Sequence, residues 1–190
     1  MKTGLFFGSF NPIHIGHLII ANYMATFTDL SEIWLIVSPH NPLKLKSGLA
    51  NMYDRLEMAK LATENAPQIK VSDIEFKLPQ PSYTIDTLTY LQEKYPKKEF
   101  ALIMGADNLA SLKKWKNYEL VLANHEIFVY PRPRVDTSEW KNHPSITFTT
   151  TPEMEISSTF IRTAIKDKKS IQFFVPDQVL AFIESKALYK

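Results

Sequence analysis

Two histidines near the start of the chain have a spacing that suits phosphate binding. The segment GSFNPIHIGHL, residues 8–18, places His14 and His17 three residues apart between two apolar runs. At the start of a helix this spacing puts both side chains on one face. The first helical turn also carries free backbone amides and the positive end of the helix dipole, which attract anions such as phosphate. Imidazole groups beside it can donate hydrogen bonds to phosphate oxygens, and we therefore predict an anion site here.

Two other interpretations of the histidine pair stay open. One is a metal site, although no third ligand is evident nearby in the sequence. The other is that both histidines only cap the helix or pack against it. Gly8 and Pro12 favour the anion site, because a glycine after a strand lets backbone and ligand approach closely and a proline fixes the chain direction.

The elements that must position these residues alternate between apolar runs of strand length and helical patterns. The predicted strands are 3–7, 32–37, 69–76, 100–104, 126–130 and 146–149. The predicted helices are 18–27, 51–65 and 83–94, with a further helical part from about residue 158. Apolar strands that alternate with helices are typical of a parallel sheet covered on both faces. We therefore predict an α/β fold, a Rossmann-like doubly wound parallel sheet, in a single domain over residues 1–190.

Sheets of this kind bind ligands beyond the carboxyl ends of their strands. The stretches that directly follow predicted strands are 8–17, 38–44, 105–107 and 131–134. We expect the functional side chains to come from these four stretches.

Composition argues against several kinds of partner and site. The 190 residues carry 22 Lys and Arg against 20 Asp and Glu, a formal net charge of +2, and the basic clusters are short. We expect no nucleic-acid partner, since proteins of that class concentrate basic residues on one face. The chain has no cysteine, which removes disulfides, thiolate zinc sites and a cysteine nucleophile.

Hydropathy gives the expected location of the protein. No apolar run approaches the roughly 20 residues of a membrane span, and the apolar stretch in residues 1–7 is too short for a signal peptide. We expect a cytoplasmic protein without a membrane partner, and the sequence leaves open whether it forms a homo-oligomer.

A second motif, ISSTFIR over residues 156–162, could also hold a phosphate. Ser157 or Ser158 is a good N-cap for a new helix. The hydroxyls of Ser158 and Thr159, with the amides around them, can bind phosphate oxygens at that helix start. Arg162 lies one turn further on and brings a fixed, positively charged fork. Together with His14-Ile15-Gly16-His17, this motif resembles the [T/H]xGH and ISSTxxR pair of the nucleotidyltransferase superfamily.

The middle of the chain narrows the resemblance to the bacterial nicotinate-nucleotide adenylyltransferases. Residues 81–88, PSYTIDTL, resemble their PSYTxxTL segment, and residues 103–109, IMGADNL, resemble their GxDxL segment. Trp115 follows at the spacing of their stacking tryptophan. Residues 129–133 and 175–189 resemble their later strand and their ending, so the resemblance covers almost the whole chain.

Two segments depart from the family pattern. Residues 7–12 read FGSFNP where the family often shows GGTFDP, and residues 41–44 read NPLK where it often shows PPHK. Leu43 thus replaces a histidine that could contact phosphate, whereas Lys44 keeps its positive charge.

The resemblance implies a reaction between ATP and nicotinate mononucleotide that gives nicotinate adenine dinucleotide and pyrophosphate. The mononucleotide phosphate is already ionised, so no general base is needed, and catalysis consists of positioning and charge neutralisation. With Mg²⁺ carried by ATP, the implied catalytic residues are His14, His17, Lys44 and Arg162. The implied ATP-binding residues are Gly8, Ser9, Phe10, Gly16, Gly105, Asp107, Ser157, Ser158 and Thr159. The implied acceptor-binding residues are Ser38, Tyr83, Thr84, Trp115 and Arg132.

Three rival functions remain at this point. Phosphopantetheine adenylyltransferases share both end motifs, although the PSYT segment has no known role there. A nicotinamide mononucleotide adenylyltransferase would differ only in a few contacts to one charged group. A nucleotide-binding regulator on the same fold is the third, and it would have no need to retain the phosphate-transfer residues.

Overall fold

The computed structural model describes residues 1–39 and 48–190, and its strands form one sheet. The strands are β1 (Lys2–Gly8), β2 (Glu32–Val37), β3 (Ile69–Ser72), β4 (Glu99–Gly105), β5 (Ile127–Tyr130) and β6 (Ile146–Phe148). Their order across the sheet is β3-β2-β1-β4-β5-β6, and every neighbouring pair runs parallel.

Helices cover both faces of this sheet. They are α1 (Ile15–Phe27), α2 (Met52–Thr63), α3 (Thr84–Lys94), α4 (Ala106–Ala110), α5 (Tyr118–Asn124), α6 (Ser158–Lys166) and α7 (Asp177–Ser185). Helices α1, α2, α6 and α7 pack on one face, and α3, α4 and α5 pack on the other. The predicted doubly wound α/β fold is confirmed.

Alternating side chains of each central strand supply the two cores. In β1, Leu5 faces the core under α3–α5, whereas Phe6 faces the core under α1 and α2. In β2, Trp34 and Leu35 divide in the same way, and both are buried. A strand covered on both faces has no polar side, which explains the continuous apolar runs in the sequence.

Predicted and observed elements differ in several places. The strand predicted over 69–76 ends at Ser72, where the chain turns into a 3₁₀ helix over Ile74–Lys77. Helix α1 begins three residues before the predicted 18–27. Helices α4 and α5, of five and seven residues, were not predicted, because such short helices show too few turns for a hydrophobic period.

The order of the strands creates a crevice between β1 and β4. Strand β1 has β2 as its neighbour in one direction along the sheet and β4 as its neighbour in the other. The chain continues from β1 to β2 and returns to pair with β1 again at β4. The loops that leave β1 and β4 therefore diverge at the carboxyl edge of the sheet, which is where doubly wound folds bind ligands.

A buried arginine of α2 fixes the loops at this edge. Arg55 is fully buried and donates hydrogen bonds to four backbone carbonyls. Its Nη1 atom bonds the carbonyls of Ser9 (2.6 Å) and Ser38 (2.7 Å), its Nη2 atom bonds Pro39 (2.8 Å), and its Nε atom bonds Ala50 (3.0 Å). Burial lowers the pKa of Arg55 to about 10, so the guanidinium remains charged at neutral pH.

A buried glutamate connects the 3₁₀ helix to the start of α3. Glu75 is 2% exposed, and its Oε1 atom accepts a hydrogen bond of 2.9 Å from the Thr87 hydroxyl. The hydroxyls of Ser38 and Ser82 also hydrogen-bond this carboxyl. Four chain segments therefore meet at one side chain. Burial raises the pKa of Glu75 above its usual value.

We predict that Glu75→Gln changes how stability depends on pH. Folding raises the pKa of Glu75, so the folded protein binds the carboxyl proton more tightly than the unfolded chain does. The stability that results is fully present below the unfolded-state pKa of 4.5, and it is lost as pH rises through the folded-state pKa. The free energy of unfolding of Glu75→Gln should therefore rise, relative to the wild type, between pH 4 and pH 8. Each unit of raised pKa corresponds to about 1.4 kcal/mol.

Urea unfolding at several pH values measures this difference. Glu93→Gln, at an exposed position of α3, is the matched control and should give a smaller pH-dependent difference. Parallel pH profiles for Glu75→Gln and the wild type would contradict the prediction.

Candidate active site

A cavity of about 400 Å³ opens at the carboxyl edge of the sheet. Residues that follow β1, β4 and β5 line it, together with the first turns of α1 and α6. It contains eleven residues named by the sequence analysis: Gly8, Ser9, Phe10, His14, His17, Asp107, Arg132, Ser157, Ser158, Thr159 and Arg162. The fold thus brings the two end motifs to one place, across about 140 residues of chain.

The two histidines stand at the start of α1, as predicted. His14 is the residue before the first helical turn, and the backbone N–H of His14 donates to Nδ1 of His17 at 3.2 Å. The two rings stack with centroids 3.7 Å apart. Because Nδ1 of His17 accepts this bond, the neutral ring carries its hydrogen on Nε2.

His14 is neutral at physiological pH. It is 4% exposed, and burial, with the positive charge of Arg132, lowers its pKa to about 4. Its Nδ1 atom is buried and makes no hydrogen bond within the described part of the chain. A buried polar atom of this kind is costly unless a water or a ligand satisfies it.

The glycines of this motif make room for aromatic rings. A Cβ at Gly8 would lie 2.8 Å from the ring of Phe10, whose backbone is left-handed with φ 44°. A Cβ at Gly16 would lie 3.1 Å from the ring of His14. Gly8 lines the cavity, and the ring of Phe10 occupies the space that a side chain at Gly8 would need. The close approach of a ligand to the Gly8 backbone stays a prediction. Phe10 in turn packs edge-on against His17 with centroids 5.1 Å apart.

The ISSTFIR motif begins α6, and its polar groups hold one another. The Ser157 hydroxyl accepts a bond of 3.1 Å from the N–H of Phe160, so Ser157 rather than Ser158 is the N-cap. The Ser158 hydroxyl donates to the carbonyl of Pro12 at 2.9 Å. Arg162 donates through Nη2 to the Thr159 hydroxyl at 3.2 Å.

Asp107 and Arg132 form the side of the cavity that lies at β4 and β5. The Arg132 Nε atom lies 3.7 Å from Oδ1 of Asp107, and its guanidinium lies over the ring of Tyr130. Gly105 does not line the cavity. Its role in the structure is to leave space, because a Cβ there would overlap Oδ1 of Asp107 and touch Tyr130.

Most of the predicted acceptor residues gather elsewhere at the same edge. Ser38, Tyr83, Thr84 and Trp115 do not line the cavity. Tyr83 precedes the first turn of α3, and Thr84 begins that helix. The Lys116 ammonium lies 4.8 Å from the ring centroid of Tyr83, which brings the Trp115 segment beside the start of α3.

Arg132, which the resemblance implied for the acceptor, lies in the cavity with the His14 and Arg162 group. Lys44 lies outside the described residues, and so does Leu43. Phe7 joins the two groups of residues, because it lines the cavity and packs against the same core as Trp115.

Sequence reasoning missed Asn11, which organises the floor of the cavity. Its carbonyl accepts a bond of 2.9 Å from Nη1 of Arg162, and its side-chain oxygen accepts a bond of 2.9 Å from the Tyr189 hydroxyl. The partners lie 151 and 178 residues away in sequence. The one available signal was the position of Asn11 inside the GSFNPIHIGH stretch, directly before Pro12.

Residues 1–39 and 48–190 contain neither a candidate metal site nor a candidate membrane span. No group of three or more His, Cys, Asp or Glu side chains in those ranges could hold a metal ion. No helix there is both long enough and apolar enough to cross a membrane.

Comparison with known proteins agrees with this geometry. A family model described as cytidylyltransferase-like matches residues 5–164. A protein of Flavobacterium psychrophilum named probable nicotinate-nucleotide adenylyltransferase is 57% identical, with all of both chains covered. A protein of the same name from Cytophaga hutchinsonii is 49% identical and covers 100% of this chain and 98% of its own.

A solved structure has the same fold. The Plasmodium falciparum nicotinic acid mononucleotide adenylyltransferase, complexed with NaAD, superposes with a TM-score of 0.84. It is 20% identical, and the match covers 99% of this chain and 97% of that one. The full-length relatives and the family model together establish that this chain belongs to the cytidylyltransferase-like family and, within it, to the nicotinate-nucleotide adenylyltransferases.

Proposed function

We propose that this chain joins the adenylyl group of ATP to nicotinate mononucleotide, as a step of NAD biosynthesis. The products are nicotinate adenine dinucleotide and pyrophosphate. The observation that carries the proposal is the convergence of two helix starts, with His14, His17 and Arg162, in one cavity at the carboxyl edge of the sheet.

The reaction needs positioning and charge neutralisation rather than proton transfer. A phosphate oxygen of the mononucleotide attacks the α-phosphorus of ATP, and the bond from that phosphorus to the oxygen of the β-phosphate breaks. The electron pair of that bond leaves with pyrophosphate. The attacking phosphate is already ionised at neutral pH, so electrostatic stabilisation of the transferring group is the main task of the protein.

The residues of the cavity supply that stabilisation. The starts of α1 and α6 direct the positive ends of their dipoles at the cavity. At α1 most of the first amides are engaged within the protein, since the N–H groups of His14 and Ile15 donate to Nδ1 of His17 and to the carbonyl of Phe174. His17 donates from Nε2, since its Nδ1 atom is engaged by the backbone. Arg162 brings a positive charge that Asn11 and Thr159 hold in place. Lys44, whose role rests on the sequence, is proposed as a further cation for the phosphates.

The ribose and the metal complete the ATP site. The Asp107 carboxylate borders the cavity and can accept hydrogen bonds from ribose hydroxyls. We propose that Mg²⁺ enters on the ATP phosphates, as part of the substrate. In the described ranges no cluster of acidic or histidine side chains forms a separate metal cage.

The acceptor site is proposed at the start of α3. The free amides there and the Thr84 hydroxyl would receive the nicotinate carboxylate, and Trp115 would stack on the pyridine ring. The Lys116 ammonium lies beside Tyr83 and is paired with Asp86 of the first turn of α3 at 2.9 Å, so the ion pair adds no net charge there. The proposed preference for the acid over the amide therefore rests on the amides of the helix start, which attract a negatively charged group. We further propose that the protein acts in the cytoplasm and without a nucleic-acid partner, as its hydropathy and charge balance suggest.

Acceptor specificity is the direct test of the proposal. Pyrophosphate release from MgATP should be fastest with nicotinate mononucleotide, when nicotinamide mononucleotide and phosphopantetheine are offered separately. Release chiefly with either of the other two would preserve the phosphate chemistry and contradict the acceptor assignment. No release with any acceptor, in a protein that binds ATP, would favour a nucleotide-binding regulator.

We predict that His17→Asn and His17→Ala both reduce kcat by about 10²- to 10³-fold, the usual cost of removing one transition-state hydrogen-bond donor. Asparagine keeps an oxygen near the position of Nδ1 and can still accept the backbone N–H of His14. Only the alanine variant should therefore also lose thermal stability. Steady-state rates and melting temperatures of both variants separate catalysis from capping. A His17→Asn enzyme with the wild-type rate would exclude the proposed donor.

We predict that Trp115→Ala raises KM for nicotinate mononucleotide about 10-fold or more, since stacking of a base on an aromatic ring contributes about 1–3 kcal/mol. KM for ATP should stay within about twofold, because Trp115 lies outside the ATP cavity. Trp115→Phe retains an aromatic face and is the matched control. Equal effects of Trp115→Ala on both KM values would contradict separate sites.

A further inference from the structure

Tyr189, which follows α7, reaches back to the first loop of the chain. Its hydroxyl donates to Oδ1 of Asn11 at 2.9 Å, across 178 residues of sequence. Burial raises the pKa of Tyr189, so the hydroxyl remains a donor at physiological pH. The backbone bends sharply to bring it there, because Ala187 and Tyr189 both have left-handed φ angles, of 51° and 64°. Left-handed backbone is unfavourable for residues with a Cβ, so the contacts of the ring must outweigh that cost.

The side chain that receives this bond has its other groups engaged. Asn11 is 5% exposed, and its Oδ1 atom also accepts the N–H of Ala50 at 3.0 Å. Its Nδ2 group donates to the carbonyl of Gly48 at 2.9 Å. The Asn11 amide therefore has one orientation that satisfies all three partners. Leu49, between two of these partners, lines the cavity.

The backbone of the same asparagine holds the arginine of the cavity. Nη1 of Arg162 donates to the Asn11 carbonyl at 2.9 Å. A shift of Asn11 would therefore move the guanidinium that lies beside the proposed ATP phosphates. The Tyr189 hydroxyl, the Asn11 side chain and backbone, and the Arg162 guanidinium form one continuous chain of hydrogen-bonded groups.

We propose that Tyr189 is a positioning residue, which acts through Asn11 to hold Arg162 in the geometry that binds the triphosphate. This inference rests on the proposed function for the identity of the nucleotide. Tyr189 does not line the cavity, and any effect it has on ATP must pass through the groups it holds. The hydrogen bond can be removed by a minimal change, since Tyr189→Phe deletes a single oxygen atom and keeps the ring.

The experiment measures ATP affinity without turnover. Calorimetric titration of the full chain with MgATP, in the absence of an acceptor, gives the dissociation constant and the number of sites. We expect Tyr189→Phe to weaken ATP binding about 3- to 10-fold, the usual range for one hydrogen bond, with the number of sites unchanged. Partial unfolding would reduce the number of sites instead. Pyrophosphate release is measured separately, so failure of the proposed reaction leaves this result interpretable.

A matched tyrosine and a double variant complete the design. The Tyr23 hydroxyl bonds the Thr150 hydroxyl at 2.9 Å, outside the cavity residues, so Tyr23→Phe removes a comparable bond and should leave ATP affinity unchanged. In an Arg162→Ala background, Tyr189→Phe should add little further loss, because its route to the phosphates is already removed. Wild-type affinity in Tyr189→Phe would overturn the proposal, and so would an equal loss in Tyr23→Phe. An undiminished effect in the Arg162→Ala background would overturn the route through Arg162.

Discussion

The arrangement of this site depends first on the buried guanidinium of Arg55. Removing a full charge from water is costly unless hydrogen bonds compensate for the lost solvation. Here four carbonyls provide that compensation, and they belong to the loops after β1 and β2 and to the residue before Asn51. Because a guanidinium donates in several fixed directions, it joins these segments with a defined geometry. A lysine ammonium at the same place would be a point charge without that geometry.

Once these loops are fixed, short-range interactions determine the rest of the cavity. The Ser9 carbonyl is bonded to Arg55, and the next residue, Phe10, packs its ring over Gly8 and against His17. His17 then caps the backbone at His14. Each step orients the next group, and few of the participants are conventional catalytic side chains. The site consists largely of backbone amides, carbonyls and packed rings, which suits a reaction that needs positioning more than proton transfer.

Local signals account for what the sequence could predict. The apolar run of β2 has the predicted bounds, 32–37, because burial on both faces gives an unambiguous pattern. The histidine spacing and Ser157 could be assigned to helix starts, because capping depends on residues only a few positions apart in the sequence. The end of β3 was not predicted, and the 3₁₀ helix after it carries Glu75, whose buried carboxyl is bonded by Thr87, twelve residues later in the sequence. Arg55, Asn11 and Tyr189 were beyond reach, because their roles exist only in contacts between distant segments.

The electrostatics of the cavity show the same dependence on the fold. The whole chain has a formal charge of only +2, and the clusters of basic residues in its sequence are short. The described cavity lining nevertheless contains Arg132 and Arg162 against the single carboxylate of Asp107, with two helix dipoles directed at it. His14 is neutral there, so it adds a polar atom and no charge. The positive potential that would attract a triphosphate therefore comes from two arginines 30 residues apart and from aligned peptide dipoles, and neither source appears in the overall charge balance of the sequence.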